Sequence, residues 1–384
     1  MANPLLELGK LGQSVWYDNL NRELIATGRL QRMVDEDGIS GGTSNPSIFE
    51  KAIAAGDHYA PDLERLARAG LETPAIYDEL TLADIRQSCD VLRPVYEASQ
   101  GGDGFASLEV SPHLAFDTER TVSEALRLFQ ALDRPNAMIK IPGTDEGLPA
   151  IERCLYEGVN VNITLLFGVA NYERVAWTYI SALERRAAEG RPIDRIASVA
   201  SFFVSRVDTM VDERLQSLIA QAGEGPRRAA LERLLGRAGI ANAKIAYAKF
   251  KEVFSSPRWQ ALAQRSARLQ RCLWASTSTK NPAYRDVMYV EGLIGPHTVN
   301  TLPQSTLDAF RDHGVVAPTL EADVEGAFAH IKRLEAEGID FQAVTDELQV
   351  QGVKLFCDSF DAASATIERK REELLAGRGA ARSS

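Results

Sequence analysis

Eight short runs rich in branched, aromatic and small residues punctuate this chain, each followed by a longer amphipathic stretch. That alternation restricts the fold more than any other feature, because strands separated by helices run parallel and need helices covering the sheet. The runs lie at 14–18, 38–43, 105–110, 137–141, 159–164, 196–202, 271–276 and 298–302. No G-x-G-x-x-G follows any of them, so nothing marks the dinucleotide crevice of an open doubly wound sheet. Eight such units predict a closed (β/α)8 TIM barrel.

A barrel of this kind takes about 250 residues, and the chain has 384. The surplus reads as helix, at 57–99, 208–270 and 320–375, all rich in Ala, Leu, Arg and Glu. In the last of these, Val344, Leu348, Phe356, Phe360, Ala363 and Ile367 recur at intervals that align one apolar face. This predicts a C-terminal helix packed across the barrel. The tail 377–384 has nothing to bury and is expected to be disordered. With no repeat or linker, the expectation is a single elaborated domain over 1–376, with helical insertions near 57–99 and 208–270.

Lys and Arg total 43 against 53 Asp and Glu, a net charge of −10. That balance argues against nucleic acid as a partner and disfavours an anionic membrane surface. An anionic substrate would have to be met by a local cluster of donors, because the global field repels it. The uncharged stretch 158–172 is too short to span a bilayer and holds Asn160, Asn162 and Asn171. Cys89, Cys154, Cys272 and Cys357 lie far apart, with neither zinc spacing nor disulfide density. The opening MANPLLELGK has no apolar signal core, so a cytoplasmic location is expected. The five histidines form no metal-like cluster, and no metal site is expected.

Chemistry in a barrel sits at the C-terminal ends of the strands. There Lys140 stands among Met138, Ile139 and Ile141, before a Pro-Gly turn. An ordinary strand lysine points to solvent, but a closed barrel has no edge. Removal from water favours a neutral amine, the carbonyl nucleophile of Schiff-base chemistry. Asp18 closes the first strand, as a helix cap or an acid/base, and Glu109 sits between Leu108 and Val110. Two carboxylates beside a lysine suit imine chemistry, which needs one acid/base for C–C cleavage and another for water.

Neutral polar groups follow. Thr43 and Asn45 come after the second strand, Asn162 and Thr164 share a face of the fifth, and Ser201 lies on the sixth. Asn45 before Pro46 also suits a turn or cap. Amides and hydroxyls facing one lumen read as donors and acceptors for a polyol. Arg206 follows the sixth strand, and Ser276, Ser278 and Lys280 follow the seventh, where this fold often holds phosphate. Arg206 could equally pair with Asp208 or Asp212.

Together these residues resemble the transaldolase family in its longer bacterial form, over about 13–303. The carriers are the Asp18 strand, T-S-N-P at 43–46, L-E-V around Glu109, I-K at 139–140, N-I-T-L-L-F at 162–167 and S-F-F-V-S-R at 201–206. Each is weak alone, but six in the family's order are specific. The resemblance implies that Lys140 forms the imine, Asp18 is the acid/base of the aldol step, and Glu109 with Thr164 positions the catalytic water. It implies that Asn45 and Asn162, beside Thr43, hold substrate hydroxyls, that Ser201 and Phe203 form the pocket wall, and that Arg206 binds phosphate. Many members carry a second phosphate-binding arginine two residues after the serine matched by Ser276. Here that place is Ser278, so either Lys280 substitutes as a point charge or Arg206 and hydroxyls hold the anion.

The implied activity moves a dihydroxyacetone unit from sedoheptulose 7-phosphate or fructose 6-phosphate to glyceraldehyde 3-phosphate or erythrose 4-phosphate, in the non-oxidative pentose phosphate pathway. No metal or organic cofactor is expected, and the partners are ketose and aldose sugar phosphates. The oligomer expected is a monomer or homodimer. The rival readings are an aldolase of the same family that releases free dihydroxyacetone from fructose 6-phosphate, and a non-catalytic sugar-phosphate sensor. Glu109 favours the transferase, since small aldolases of the family tend to carry a different polar residue there.

Overall fold

The computed structural model describes residues 3–55 and 57–382. Eight parallel strands close into a barrel in sequence order: β1 Gln13–Asp18, β2 Ile39–Thr43, β3 Phe105–Glu109, β4 Ala137–Pro142, β5 Val161–Leu166, β6 Ser198–Phe203, β7 Arg271–Ala275 and β8 Thr298–Leu302. β8 returns to pair with β1 in parallel. All eight expected runs are strands, with edges shifted by one or two residues for local reasons. Gly38 is the left-handed cap of the helix Arg29–Asp37 and not a strand residue. Asn160 precedes β5, its side chain donating to the Pro135 and Ala137 carbonyls at 3.0 Å. Ser276 falls just past β7 with φ +56°, a left-handed conformation that ends the strand.

Alternation of side chains along each strand separates two interiors. Ile139, Ile141, Val161, Ile163, Ala200 and Phe202 belong to the cluster between barrel and helices. Trp16, Phe105, Met138, Val199, Leu273 and Val299 form part of a second cluster in the lumen. Gly41 makes room there, since a Cβ would come within 2.4 Å of the Trp16 indole. Trp16 Nε1 donates to Asp103 Oδ1 at 2.8 Å, and Arg271 meets Asp103 at 3.3 Å, so the lower lumen is packed and pinned. Two residues farther along the same strand faces stand Asp18, Ser107, Lys140, Ser201 and Thr301. An apolar floor therefore carries a polar layer toward the C-terminal mouth.

Parts of the surplus helix belong to the barrel's own outer layer. In Thr73–Ala98, Leu82, Ile85, Cys89 and Leu92 join the barrel–helix cluster, as do Ala243, Ala246, Tyr247 and Phe250 of Ala238–Val253. The terminal helix Phe341–Arg382 does cross the barrel. Its Val344, Leu348, Val353 and Phe356 join the lumen cluster, while Ala363 and Ile367 pack with Phe49, Ile53 and Tyr59. Gln349 Nε2 donates to the Gly143 and Leu165 carbonyls, at 3.0 and 3.1 Å, fixing the helix over the ends of β4 and β5. The helix continues to Arg382, past the Gly377 where the sequence reading ends order, as adding residues to an existing helix requires no new nucleus. Ser383 and Ser384 lie outside the described residues. Among the described residues no helix is long and apolar enough to cross a membrane.

Candidate active site

The register of three neighbouring strands sets Glu109 beside Lys140 and Lys140 beside Asn162. Lys140 Nζ lies 3.0 Å from Glu109 Oε2, with side-chain exposures of 6% and 3%, so water screens little of their attraction. Nζ also donates to the Ser44 carbonyl at 3.3 Å. The Glu109 contact is an ion pair off the line of a hydrogen bond. Both Glu109 oxygens and Thr164 Oγ1 are buried without a hydrogen-bond partner among the described residues. These three oxygens, two of them on the carboxylate beside Lys140, have bonding capacity left for a ligand. Burial pushes the Glu109 carboxyl above the usual range, Lys140's charge pulls it partly back, and Asp18 adds a smaller upward push.

Asp18 ends β1 and is held from the side, Thr43 Oγ1 donating to its Oδ1 at 2.7 Å. Thr43 also lies 3.3 Å from the Thr301 hydroxyl. Asn45 takes both roles open to it. Its Oδ1 accepts from the Ile48 N–H at 3.0 Å, at the start of the helix Pro46–Ala55, and the residue still lines the pocket. Asn162 is committed to neighbours, its Nδ2 donating to Ser107 at 3.1 Å and its Oδ1 accepting from Ser201 at 2.6 Å. That leaves one amide hydrogen for a ligand.

The cationic part of the site comes from β6 and β7. Arg206 occupies the first turn of Ser205–Ala222 and lies 5.7 Å from the Phe203 ring centroid. Its possible carboxylate partners are engaged elsewhere: Asp208 Oδ1 accepts from the Gly239 N–H at 2.8 Å, and Asp212 accepts from Gly236 and Tyr284. Burial draws the guanidinium below its ordinary value, though an arginine stays charged. Lys280 donates to Ser278 at 2.6 Å, and the Ser276 hydroxyl bonds that of Ser205 at 2.8 Å. Lys280 is lowered first by burial, then by the charge of Arg206, with Lys51 adding to the repulsion. Arg206, Lys280 and Lys51 form no ion pair among the described residues, in a protein where most cations do.

One cavity of about 570 Å³ collects these groups. Eleven of the residues singled out from sequence line it, namely Asp18, Thr43, Asn45, Lys140, Thr164, Ser201, Phe203, Arg206, Ser276, Ser278 and Lys280. Glu109 and Asn162 are buried beside them. Sequence reasoning missed Lys51, Tyr59 and Phe356, which also line the cavity. They come from helices laid over the mouth, and the sequence marks Phe356 only as part of an apolar helix face. The T-S-N-P turn offers the one signal for Lys51, since the helix it starts must leave from the mouth.

Comparison with known proteins gives the chain's family. The family model described as Transaldolase/Fructose-6-phosphate aldolase matches residues 15–367. The chain is 50% identical to "Transaldolase 2" of Nostoc sp. (strain PCC 7120) over 371 residues, covering 96% of this chain and 97% of that one. It is 48% identical to "Transaldolase" of Trichodesmium erythraeum over 97% of this chain and 99% of the relative, and 45% identical to that of Acidothermus cellulolyticus over 99% and 100%. The chain belongs to the transaldolase/fructose-6-phosphate aldolase family.

Proposed function

We propose that this chain transfers a dihydroxyacetone unit between sugar phosphates through an imine on Lys140, a reading supported by relatives that carry the name transaldolase. The carrying observation is the buried Lys140–Glu109 pair at 3.0 Å, beneath a polar cavity whose wall bears cations without ion-pair partners among the described residues. The lysine nitrogen adds to the ketose carbonyl, and Glu109 gives a proton to the carbinolamine hydroxyl, which leaves as water. Asp18, held by Thr43, takes the proton of the hydroxyl next to the scissile bond. The C–C electrons pass to the iminium, an aldose phosphate departs and an enamine remains. The enamine carbon then attacks the acceptor aldehyde, whose oxygen takes the proton back from Asp18. Water held by Glu109 and Thr164 releases the product.

Asn45 and Asn162 hold substrate hydroxyls, Ser201 and Phe203 form the wall, and Arg206, Lys280 and Ser276 receive the phosphate. Donors are sedoheptulose 7-phosphate or fructose 6-phosphate, and acceptors glyceraldehyde 3-phosphate or erythrose 4-phosphate, in the non-oxidative pentose phosphate pathway. A cytoplasmic monomer or homodimer, folded as one domain, completes the proposal. Incubation with fructose 6-phosphate and erythrose 4-phosphate, read by mass spectrometry, should yield sedoheptulose 7-phosphate and glyceraldehyde 3-phosphate. Free dihydroxyacetone as the main product, with acceptor present, would show an aldolase instead.

A further inference from the structure

The terminal helix brings one side chain to the reactive amine. Phe356 is 4% exposed, lines the cavity, and its ring centroid lies 5.8 Å from Lys140 Nζ, within the range of a cation–π contact. Its place is fixed from both sides along the helix. Gln349, two turns earlier, is bonded to the Gly143 and Leu165 carbonyls, and the Ser359 hydroxyl meets that of Ser47 at 2.7 Å. The ring therefore belongs to a braced wall.

What that wall does follows from the charge at the lysine nitrogen during turnover. Once Lys140 carries an imine, that nitrogen is positive, and Glu109 is the one carboxylate in ion-pair contact with it among the described residues. An aromatic ring within range stabilises the cation through its electron-rich face and occupies space that water would otherwise take. We propose that Phe356 is a positioning residue for the covalent intermediate. It holds the iminium in a water-poor setting and so favours reaction of the enamine with an acceptor over loss of the three-carbon unit to water. The competing loss is balanced by solvent alone: the enamine carbon takes a proton, water adds at the iminium carbon, the C–N bond breaks, and free dihydroxyacetone leaves Lys140 as the amine. This inference rests on the imine reading of Lys140.

The test compares wild type, Phe356→Leu and Phe356→Ala, each first shown to be folded by circular dichroism and thermal unfolding. Leu keeps an apolar side chain and removes the ring face, while Ala also opens space. With fructose 6-phosphate alone, borohydride trapping reads the fraction of Lys140 held as adduct. With erythrose 4-phosphate added, the ratio of free dihydroxyacetone to sedoheptulose 7-phosphate reads the partition. The expected result is an adduct fraction lowered about three- to tenfold in Phe356→Leu, and a partition toward free dihydroxyacetone raised about tenfold or more in Phe356→Ala. A purely structural role would lower total activity and leave the partition ratio unchanged. Both variants at the wild-type adduct fraction and ratio would overturn the proposal. Absence of any adduct in wild type would instead remove the imine reading beneath it.

Discussion

Lys140 and Glu109 are each other's nearest charge in a place that water barely reaches, so substitutions at either should act on chemistry more than on affinity. Lys140→Ala should lower turnover by about 10⁴-fold or more, with donor still bound, because the covalent route is gone. Glu109→Gln should lower kcat by about 10²- to 10⁴-fold, the usual worth of a positioned acid/base. Since burial raises the Glu109 carboxyl, its acid form persists above the ordinary carboxylate range, and the kcat limb that needs this proton falls as pH rises through the raised value. That limb should vanish from the pH profile of Glu109→Gln. Arg206→Ala should raise KM for fructose 6-phosphate about tenfold to a hundredfold, the loss expected for a hydrogen bond to a charged group, with kcat within a few-fold. Equal small changes in both constants would count against the phosphate assignment. Most of these residues were legible because two-residue alternation on strands of known direction already places them on one face. Phe356 and Lys51 were not, since their positions depend on how helices pack over the mouth, which a local pattern does not encode.

The helix Ser205–Ala222 shows how one element carries both function and its cost. Arg206 faces the cavity, and Asp208, two residues on, is 1% exposed and accepts from the Gly239 N–H, docking the helix Ala238–Val253. Gly239 is required at that approach, where a Cβ would lie 2.6 Å from the Val204 carbonyl oxygen. Burial pushes the Asp208 carboxyl up to about 6. Its folded value lies above its unfolded value of about 3.9, so the unfolded chain loses that proton first and stability falls as pH rises from about 4 to about 6. A two-unit difference corresponds to about 3 kcal/mol. Asp208→Asn keeps the acceptor and removes the charge, so its stability relative to wild type should grow by that order between pH 4 and 7, as read from urea midpoints. At this scale the strands were readable and the helices less so. The stretches 57–99 and 208–270 looked like additions, yet parts of both cover the barrel, because Ala- and Leu-rich helix faces read alike whether they pack on strands or on other helices.

Across the whole molecule a net charge of −10 surrounds one cavity lined by Lys51, Lys140, Arg206 and Lys280. Attraction for a phosphorylated sugar is then local, and salt screens the long-range repulsion of the net charge along with it. KM for fructose 6-phosphate should therefore change by less than about twofold as ionic strength goes from about 0.01 to 0.15 M. Capture of unphosphorylated dihydroxyacetone should stay flat over the same range. Barrel closure was legible from eight alternating units, whereas the crossing of the terminal helix over this mouth was readable only as an apolar face without an address. The decisive measurement is borohydride reduction in the presence of fructose 6-phosphate, mapped by peptide mass spectrometry, with and without erythrose 4-phosphate. A three-carbon adduct on Lys140 that the acceptor depletes, with sedoheptulose 7-phosphate appearing, is the expected result. A folded protein that binds the sugar phosphate yet yields no adduct at Lys140 would contradict it and leave a sensor.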